Sequence, residues 1–247
     1  MRLLQINIWQ GRLIKNFYKL IERLNPDIIT FQELCSSGDS ESGLFNNLEE
    51  FQAKFNYNYV YEAPTNSFKF SDFKIKSGNY ILSKLSFANS ATIFTNLSYK
   101  ENFNYKNDDY NIRNFAHVEL NINGKATHVI THHGHHLGSN KDGNIETLRQ
   151  MEILVEYINN LTGPIILTGD FNLSPHSKSI ELLNSKLINL CLTNNITTTR
   201  NEFATVAVQV CDYIFVSKDI TVQKFSVVPE IVSDHQALLL DFDLKTN

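Results

Sequence analysis

Cysteine, proline and surplus positive charge are all scarce in this 247-residue sequence. The three cysteines, Cys35, Cys191 and Cys211, are scattered and form no Cys-x-x-Cys pair. That excludes a disulfide framework and speaks against a thiolate zinc site. No apolar run approaches the roughly 18–20 residues that span a bilayer, so stable membrane insertion is not expected. The amino terminus lacks the basic start and apolar core of a secretory signal, and the expected localisation is cytoplasmic. Basic side chains number 22 against 26 acidic ones, a net charge of -4. This disfavours a protein that coats nucleic acid by bulk electrostatics, but not an enzyme with a locally basic cleft. No linker, internal repeat or low-complexity block divides the chain, and residues 1–247 read as one domain.

Strand and helix patterns follow one another along the sequence. Arg2 to Trp9 alternates and reads as a strand. Leu13, Phe17, Leu20, Ile21 and Leu24 fall at helical spacing, and Asn25-Pro26-Asp27 stops that helix. Ile28 to Phe31 is a short apolar strand. Residues 41–54 are expected to be a second helix, with Leu44, Leu48 and Phe51 on one face. Tyr57–Tyr61 and Asn79–Leu82 read as strands, and residues 62–77 and 98–111, rich in Asn, Lys and Ser, as loops. Ala116–Ile122 pairs with Ala126–Thr131 through a glycine-containing turn. Residues 145–161 form the clearest helix, its stripe drawn by Leu148, Met151, Leu154, Val155, Ile158 and Leu161. Ile165–Thr168 is continuous enough to be a strand buried on both faces. A short helix is expected over 180–190, and late strands over 211–216 and 237–242.

Polar residues gather at the ends of these strands. Asn7 lies in the first, Gln32 and Glu33 follow the second, and His132 follows Val129-Ile130-Thr131. Asp170 and Asn172 follow the buried strand, Asp212 begins a late one, and Asp234 and His235 precede the last. In layered α/β proteins, strand ends are where ligands bind. Carboxylates suit a hard cation, and histidine suits proton transfer near neutral pH.

Taken in order, Asn7, Gln32-Glu33, Thr131-His132, Gly169-Asp170-Phe171-Asn172, Asp212 and Ser233-Asp234-His235 form a pattern. With it the sequence resembles the endonuclease/exonuclease/phosphatase superfamily of metal-dependent phosphodiesterases, over nearly its whole length. The resemblance implies a four-layer α/β sandwich: two mixed β-sheets packed face to face, helices outside, and the site at one edge. It implies Glu33 as principal metal ligand, Asn7 beside it and Asp234 close to the metal. Asp170 and Asn172 would hold the attacking water and the phosphate. Asp212 would orient His235, as a carboxylate fixes the tautomer of a catalytic histidine. His132 would donate to a phosphate oxygen, and Arg113 would reach the phosphate. The implied cofactor is magnesium (Mg2+), with manganese (Mn2+) as the alternative. The implied reaction is in-line attack of water on a phosphoester. DNA or RNA ranks first as substrate on family frequency alone, cleaved internally or from an end. Small or lipid-headgroup esters are the alternative, and a non-catalytic scaffold comes last. No protein partner is inferred.

Some positions depart from the pattern or fall outside it. Trp9 stands where DNA-repair members often carry aspartate and is expected to pack in the core. Val210 replaces an arginine common two residues before the Asp212 position. In His132-His133-Gly134-His135-His136, strand alternation is expected to turn His133 away from the site. His135 or His136 is expected on the substrate phosphate, with a transition-metal site as the alternative. Arg200 is open between a phosphate and a surface carboxylate. Gln32 is expected to pack under Glu33, and Arg149-Gln150 to brace the loop after His132. Specificity is expected in loops 36–47, 62–77, 98–111 and 133–144.

Overall fold

The structure, a computed structural model, describes residues 1–37, 46–204 and 209–245. Along the chain run β1 (Arg2–Asn7), α1 (Ile14–Leu24), β2 (Ile28–Ser37), β3 (Asn46–Asn47), α2 (Leu48–Phe55), β4 (Tyr59–Phe70), β5 (Phe73–Ser83) and β6 (Phe87–Asn96). There follow β7 (Arg113–Ile122), β8 (Lys125–His133), α3 (Ile145–Asn159), β9 (Ile165–Asp170), α4 (Lys178–Asn184), β10 (Ile188–Asn189), α5 (Leu190–Thr193), β11 (Asp212–Val216), β12 (Ile220–Val227) and β13 (Leu238–Leu244). One sheet has the order β12-β13-β1-β2-β5-β4, with β3 beside the end of β2, and the other β10-β11-β9-β8-β7-β6. Both are mixed: β1–β2, β2–β3 and β8–β9 are parallel and the remaining pairs antiparallel.

The alternation of β1 sets the layers. Leu4 and Ile6 cluster with Phe17, Leu20, Ile21 and Leu24 of α1 and Phe51 of α2. Burying each such side chain contributes about 1.5–3 kcal/mol, which holds these helices on the outer face. Leu3, on the opposite face, joins Ile28, Ile81, Leu238 and Leu240 and the second sheet's Val129, Ile166 and Ile214. That cluster continues to Met151, Leu154 and Ile158 of α3 and Ile180 and Leu183 of α4. The result is the expected four-layer sandwich. Between the sheets, toward one edge, the core turns polar. Gln32 Nε2 donates to Thr131 Oγ1 at 2.7 Å and Gln5 Nε2 to Gln32 Oε1 at 2.8 Å, while the hydroxyls of Thr168 and Thr30 lie 2.9 Å apart. Gln32 therefore packs beside Glu33 as a bridge between sheets.

Several elements differ from the sequence reading. Residues 62–77 are not a loop but most of the β4–β5 hairpin. Its buried positions include Thr65, Ser67 and Ser77, so no apolar alternation marks it. The second helix begins at Leu48, capped by Asn47, whose side chain accepts from the backbone of Glu49 and Glu50. Leu44 and most of the loop 36–47 lie outside the described residues. The long helix starts at a capping box formed by Asn144 and Thr147. Its buried face is Thr147, Gln150, Met151, Leu154 and Ile158, with Leu148, Val155 and Leu161 only partly covered. The 180–190 segment divides into α4, β10 and the start of α5. Among the described residues no helix is long and apolar enough to cross a membrane.

His117 of β7, beside His128 of β8, carries a pH-dependent part of the stability. Thr162 O must accept from His128 Nε2 (3.1 Å), so a neutral His128 accepts at Nδ1 from His117 Nε2 (3.0 Å). His117 Nδ1 then accepts from the Tyr157 hydroxyl (2.8 Å). Burial, then the neighbouring His128, pushes His117 down to about 4. The unfolded imidazole titrates near 6.5, so the unfolded chain binds more protons between these values. The stabilisation is complete above about 6.5 and lost as pH falls toward 4, by at most about 3 kcal/mol. Urea unfolding at pH 7 and pH 4.5 should show a larger loss for the wild type than for His117→Gln. Equal losses would refute the assignment.

Candidate active site

The site lies where the parallel pairs β1–β2 and β8–β9 end. Asn7, the last residue of β1, is in register with Gln32 of β2. In an unbroken strand Glu33 would face the opposite way from Gln32. The pairing of β2 with β5 shifts between Phe31 and Leu34, and Glu33 takes a left-handed backbone, φ 55°. This bulge turns Glu33 to the inner side. In the second sheet His133 is in register with Asp170, and Asp170 with Asp212. Gly169 precedes Asp170 at φ 150°, and a Cβ there would lie 2.0 Å from His132 O, so only glycine fits.

One amide joins the sheets here. Asn7 Nδ2 donates to Glu33 Oε1 at 3.1 Å and Asp170 Oδ2 at 3.0 Å, and its Oδ1 accepts from Trp9 N at 3.1 Å. Asp170 Oδ1 accepts from the backbone of Asn172, itself left-handed at φ 55°. Asp212 accepts from Thr199 Oγ1 at 2.7 Å and from His235 Nδ1 at 2.9 Å. His235 Nε2 lies 3.5 Å from Asp170 Oδ2. Arg200 donates through Nη2 to Asp234 at 2.9 Å, and its Nη1 packs against the His235 ring. Burial alone would raise the Asp170 carboxyl. His235, Arg200 and Lys141 outweigh it and hold Asp170 well below the usual carboxylate range. Burial alone would lower His235, but the charges of Asp212 and Asp170 raise it well above the usual imidazole value.

These groups surround a cavity of about 290 Å³ lined by Glu33, Asp170, Asn172, Asp234 and His235, with Arg113 and Arg200 on its walls. Asn7 and Asp212 sit beneath it, bonded to the lining residues. Arg113 is anchored by Tyr110 O, Ile112 O and Asn111 Oδ1. The Nε atoms of Arg113 and Arg200 are buried without a partner, two donors suited to an anion. His136 lines the cavity and donates to Asn172 Oδ1 at 3.3 Å.

Four expectations are corrected. His132 does not line the cavity: its ring packs 5.3 Å from Phe171, with Nδ1 3.2 Å from Asn114 O. His133 is the cavity residue, its Nε2 3.8 Å from both Glu33 and Asp170 carboxylates. The alternation argument was sound but its phase was wrong. Thr131 bonds Gln32 on the inner face, so His133 shares that face and His132 takes the other. His135 also lies off the cavity and accepts from Gln150 Nε2 at 3.3 Å. Gln150 thus braces the loop, while Arg149 bonds Thr95 O. Trp9 is not core: it lines the cavity mouth, under Arg12 at 4.4 Å and 6.4 Å from Phe203.

Lys141 escaped the sequence reading. It is buried, lines the cavity and donates to Asn172 Oδ1 at 2.9 Å. It sits in a loop with no periodicity or motif around it, so no sequence signal marks it.

Two groups of side chains have the chemistry of a metal site. Asp170, Cys211, Asp212 and His235 bring ligand atoms within 4.8 Å of one another, all buried. Burial pushes the Cys211 thiol up to about 12, and Asp212 is already bonded to His235 and Thr199. That group reads as a hydrogen-bonded cluster. Glu33, Asp170 and Asp234 instead offer carboxylate oxygens to one cavity, the donor set of a hard cation. Burial raises the Glu33 carboxyl, and a cation bound beside it would hold it ionised, so the residues fit a divalent ion.

A layered sandwich with carboxylates, amides and histidine meeting at the strand ends defines a class of phosphoester-cleaving enzymes. The model of the Endonuclease/Exonuclease/phosphatase family matches residues 4–235, and the chain belongs to that family. No curated protein sequence matches it. Solved structures give the fold. An endonuclease/exonuclease/phosphatase from Bacteroides vulgatus shares 19% identity at TM-score 0.72, covering 99% of this chain and 98% of that one. The human nocturnin catalytic domain with bound sulfate shares 18% at 0.74, covering 99% and 93%. A mannosyl-6-phosphatase of Bacteroides thetaiotaomicron shares 13% at 0.72, covering 99% and 100%.

The two neighbouring histidines can be told apart by steady-state kinetics. His133→Gln should lower kcat/KM by about 10-fold or more, the scale of a lost contact to a reacting group. His132→Gln should shift the melting temperature and leave kcat/KM within about threefold. The reverse order would return His132 to the site.

Proposed function

We propose that the chain is a divalent-metal-dependent phosphoester hydrolase that attacks with water in line. The observation that carries this is the chain of contacts Glu33–Asn7–Asp170–His235–Asp212 across both sheets, with Asp170 held as a carboxylate beside a raised imidazole. Glu33 would hold the metal, with Asp234 and Asp170 nearby and Asn7 setting Glu33 and Asp170. Bound there, the ion supplies charge against the oxygen that becomes negative as the ester breaks. Asp170, deprotonated at neutral pH, aligns the water and accepts its proton. His235, kept charged by Asp212 and Asp170, presents Nε2–H to the phosphate. Arg113, Arg200, Asn172 and His133 hold the remaining phosphate oxygens, and Lys141 fixes the Asn172 amide. Each is a preset donor where negative charge grows, which lowers the barrier without reorganisation.

A small phosphoester suits this site better than a long nucleic acid. On β5 and in the loop after β6, Lys74, Lys76 and Lys100 are paired with Glu101, Glu62 and Asp108, which leaves them little to offer a phosphate backbone. The mannosyl-6-phosphatase of the same fold acts on such a substrate class. One feature favours a single strand instead: Trp9 and Phe203, with Arg12 against Trp9, offer a stacking surface at the cavity mouth.

Bis(p-nitrophenyl) phosphate with magnesium should be turned over by the wild type and not after chelation. Asp170→Ala and His235→Ala should each cut the rate by roughly 10²-fold or more. Wild-type rates in either clean variant would refute its role, and chelator-resistant turnover would refute the metal. The substrate class is read from salt. A small-ester hydrolase should change kcat/KM by less than about threefold between 50 and 200 mM salt, whereas an enzyme making six or more phosphate contacts should lose roughly 10³-fold.

A further inference from the structure

A second cavity of about 250 Å³ adjoins the catalytic one and shares Glu33, Tyr110, Arg113 and His133 with it. Thr65, Asn66, Ser77 and Gly78 of the β4–β5 hairpin form one wall, and Phe103, Tyr105 and Tyr110 of the following loop another. The walls are joined by backbone bonds. Lys100 N donates to Thr65 O at 3.1 Å, Ser67 N to Lys100 O at 3.0 Å, and Phe103 N to Ser67 O at 2.7 Å. Gly78 permits the hairpin to close, since a Cβ there would lie 2.6 Å from Pro64 Cα. Asn66 is only 8% exposed, its Nδ2 donates to Thr65 Oγ1 at 3.2 Å, and its Oδ1 is buried without a partner. A buried acceptor in that state is unfavourable until a donor reaches it. Tyr105 is 54% exposed although its ring is held by edge contacts to Phe68 and Phe103.

The charged residues here, Glu33 and Arg113, and His133 are those shared with the catalytic cavity. Everything the second cavity adds is neutral: hydroxyls, amides and aromatic rings. A second phosphate would meet no further cation. A hydrocarbon chain would leave Asn66 Oδ1 unsatisfied. An uncharged ring carrying hydroxyls satisfies both constraints, stacking on an aromatic face while a hydroxyl donates to Asn66. We propose that this cavity is the subsite for the alcohol part of the ester, a hydroxyl-bearing sugar ring. Asn66 and Tyr105 are then specificity-determining residues. The ring is the hexose of a sugar phosphate or the ribose of a nucleotide. The proposal rests on the phosphoester-hydrolase reading.

The test compares glucose 6-phosphate, adenosine 5′-monophosphate and n-propyl phosphate on the full chain with magnesium. At least one ring ester should exceed propyl phosphate in kcat/KM by about 10-fold or more, and whichever does names the source of the ring. Tyr105→Ala and Asn66→Ala should each remove most of that preference and leave propyl phosphate within about twofold. Tyr105 is exposed, so its variant remains informative should Asn66→Ala unfold. Equal turnover of all three esters, uniform losses in the variants, or turnover confined to oligonucleotides would overturn the subsite and leave the hydrolase reading standing. If neither these esters, nor oligonucleotides, nor bis(p-nitrophenyl) phosphate is turned over, the hydrolase reading fails. The subsite is then judged by calorimetry with glucose 6-phosphate and adenosine 5′-monophosphate. Binding weakened about 10-fold by Tyr105→Ala retains it, and absent or unaltered binding overturns it.

Discussion

A single side-chain amide binds the two sheets where they meet. Asn7 ends a strand of the first sheet and donates to carboxylates from both, Glu33 and Asp170. The contact requires β1–β2 and β8–β9, the parallel pairs within each sheet's main path, to end at one edge. Their carboxyl ends then point their side chains and peptide groups into one space, the general place for ligands in open α/β sheets. Every group of the site is positioned relative to those strands. Asp212 reaches it from β11, antiparallel to β9, and His235 from the segment before β13, where a backbone pairing bridges it to Arg200.

The arrangement is costly to hold. Glu33 and Asn172 adopt left-handed backbones, as do Trp9 and Gln10 at the cavity mouth. Such conformations cost on the order of 1–3 kcal/mol each and persist only where the surroundings over-determine them. The surroundings here are the apolar layers on both sides of each sheet and the polar bridge of Gln5, Gln32, Thr131, Thr30 and Thr168 between them. A hydrogen-bonded polar layer resists sliding of one sheet over the other, because a slip would leave its buried groups without their partners. The same logic explains why so much charge can sit in one cavity: Arg200 is held by Asp234, His235 by Asp212, Glu33 and Asp170 by Asn7, Lys141 by Asn172 and Arg113 by Asn111 before any substrate arrives.

Much of this was legible in the sequence where side-chain chemistry and period agreed. Phe17, Leu20, Ile21 and Leu24 announced α1, and Ile165–Thr168 announced a buried central strand, because burial there is apolar. The β4–β5 hairpin escaped because its buried positions hold threonine, serine and asparagine, which read as loop. The histidine pair was misphased because alternation gives the period of a strand and not which face is inward. That choice rests on Thr131 meeting Gln32 across the sheets, a contact between residues 99 apart. Lys141 and Tyr105 lie in loops expected to carry specificity, but no period or motif singles out either residue.

The sequence by itself determined the layered α/β class, the family pattern from Asn7 to His235 and the kinds of group available for chemistry. These depend on local period and on residue type, which the chain carries along its length. Tertiary structure alone decided which histidine faces the cavity, that Trp9 stands at its mouth, that Arg200 bonds Asp234, and that a neutral second cavity opens beside the first. Those outcomes turn on a one-residue bulge at Glu33, on register between sheets and on a loop bonded along a hairpin. Each is set by contacts between segments far apart in the chain, where one residue of shift exchanges the inner face for the outer.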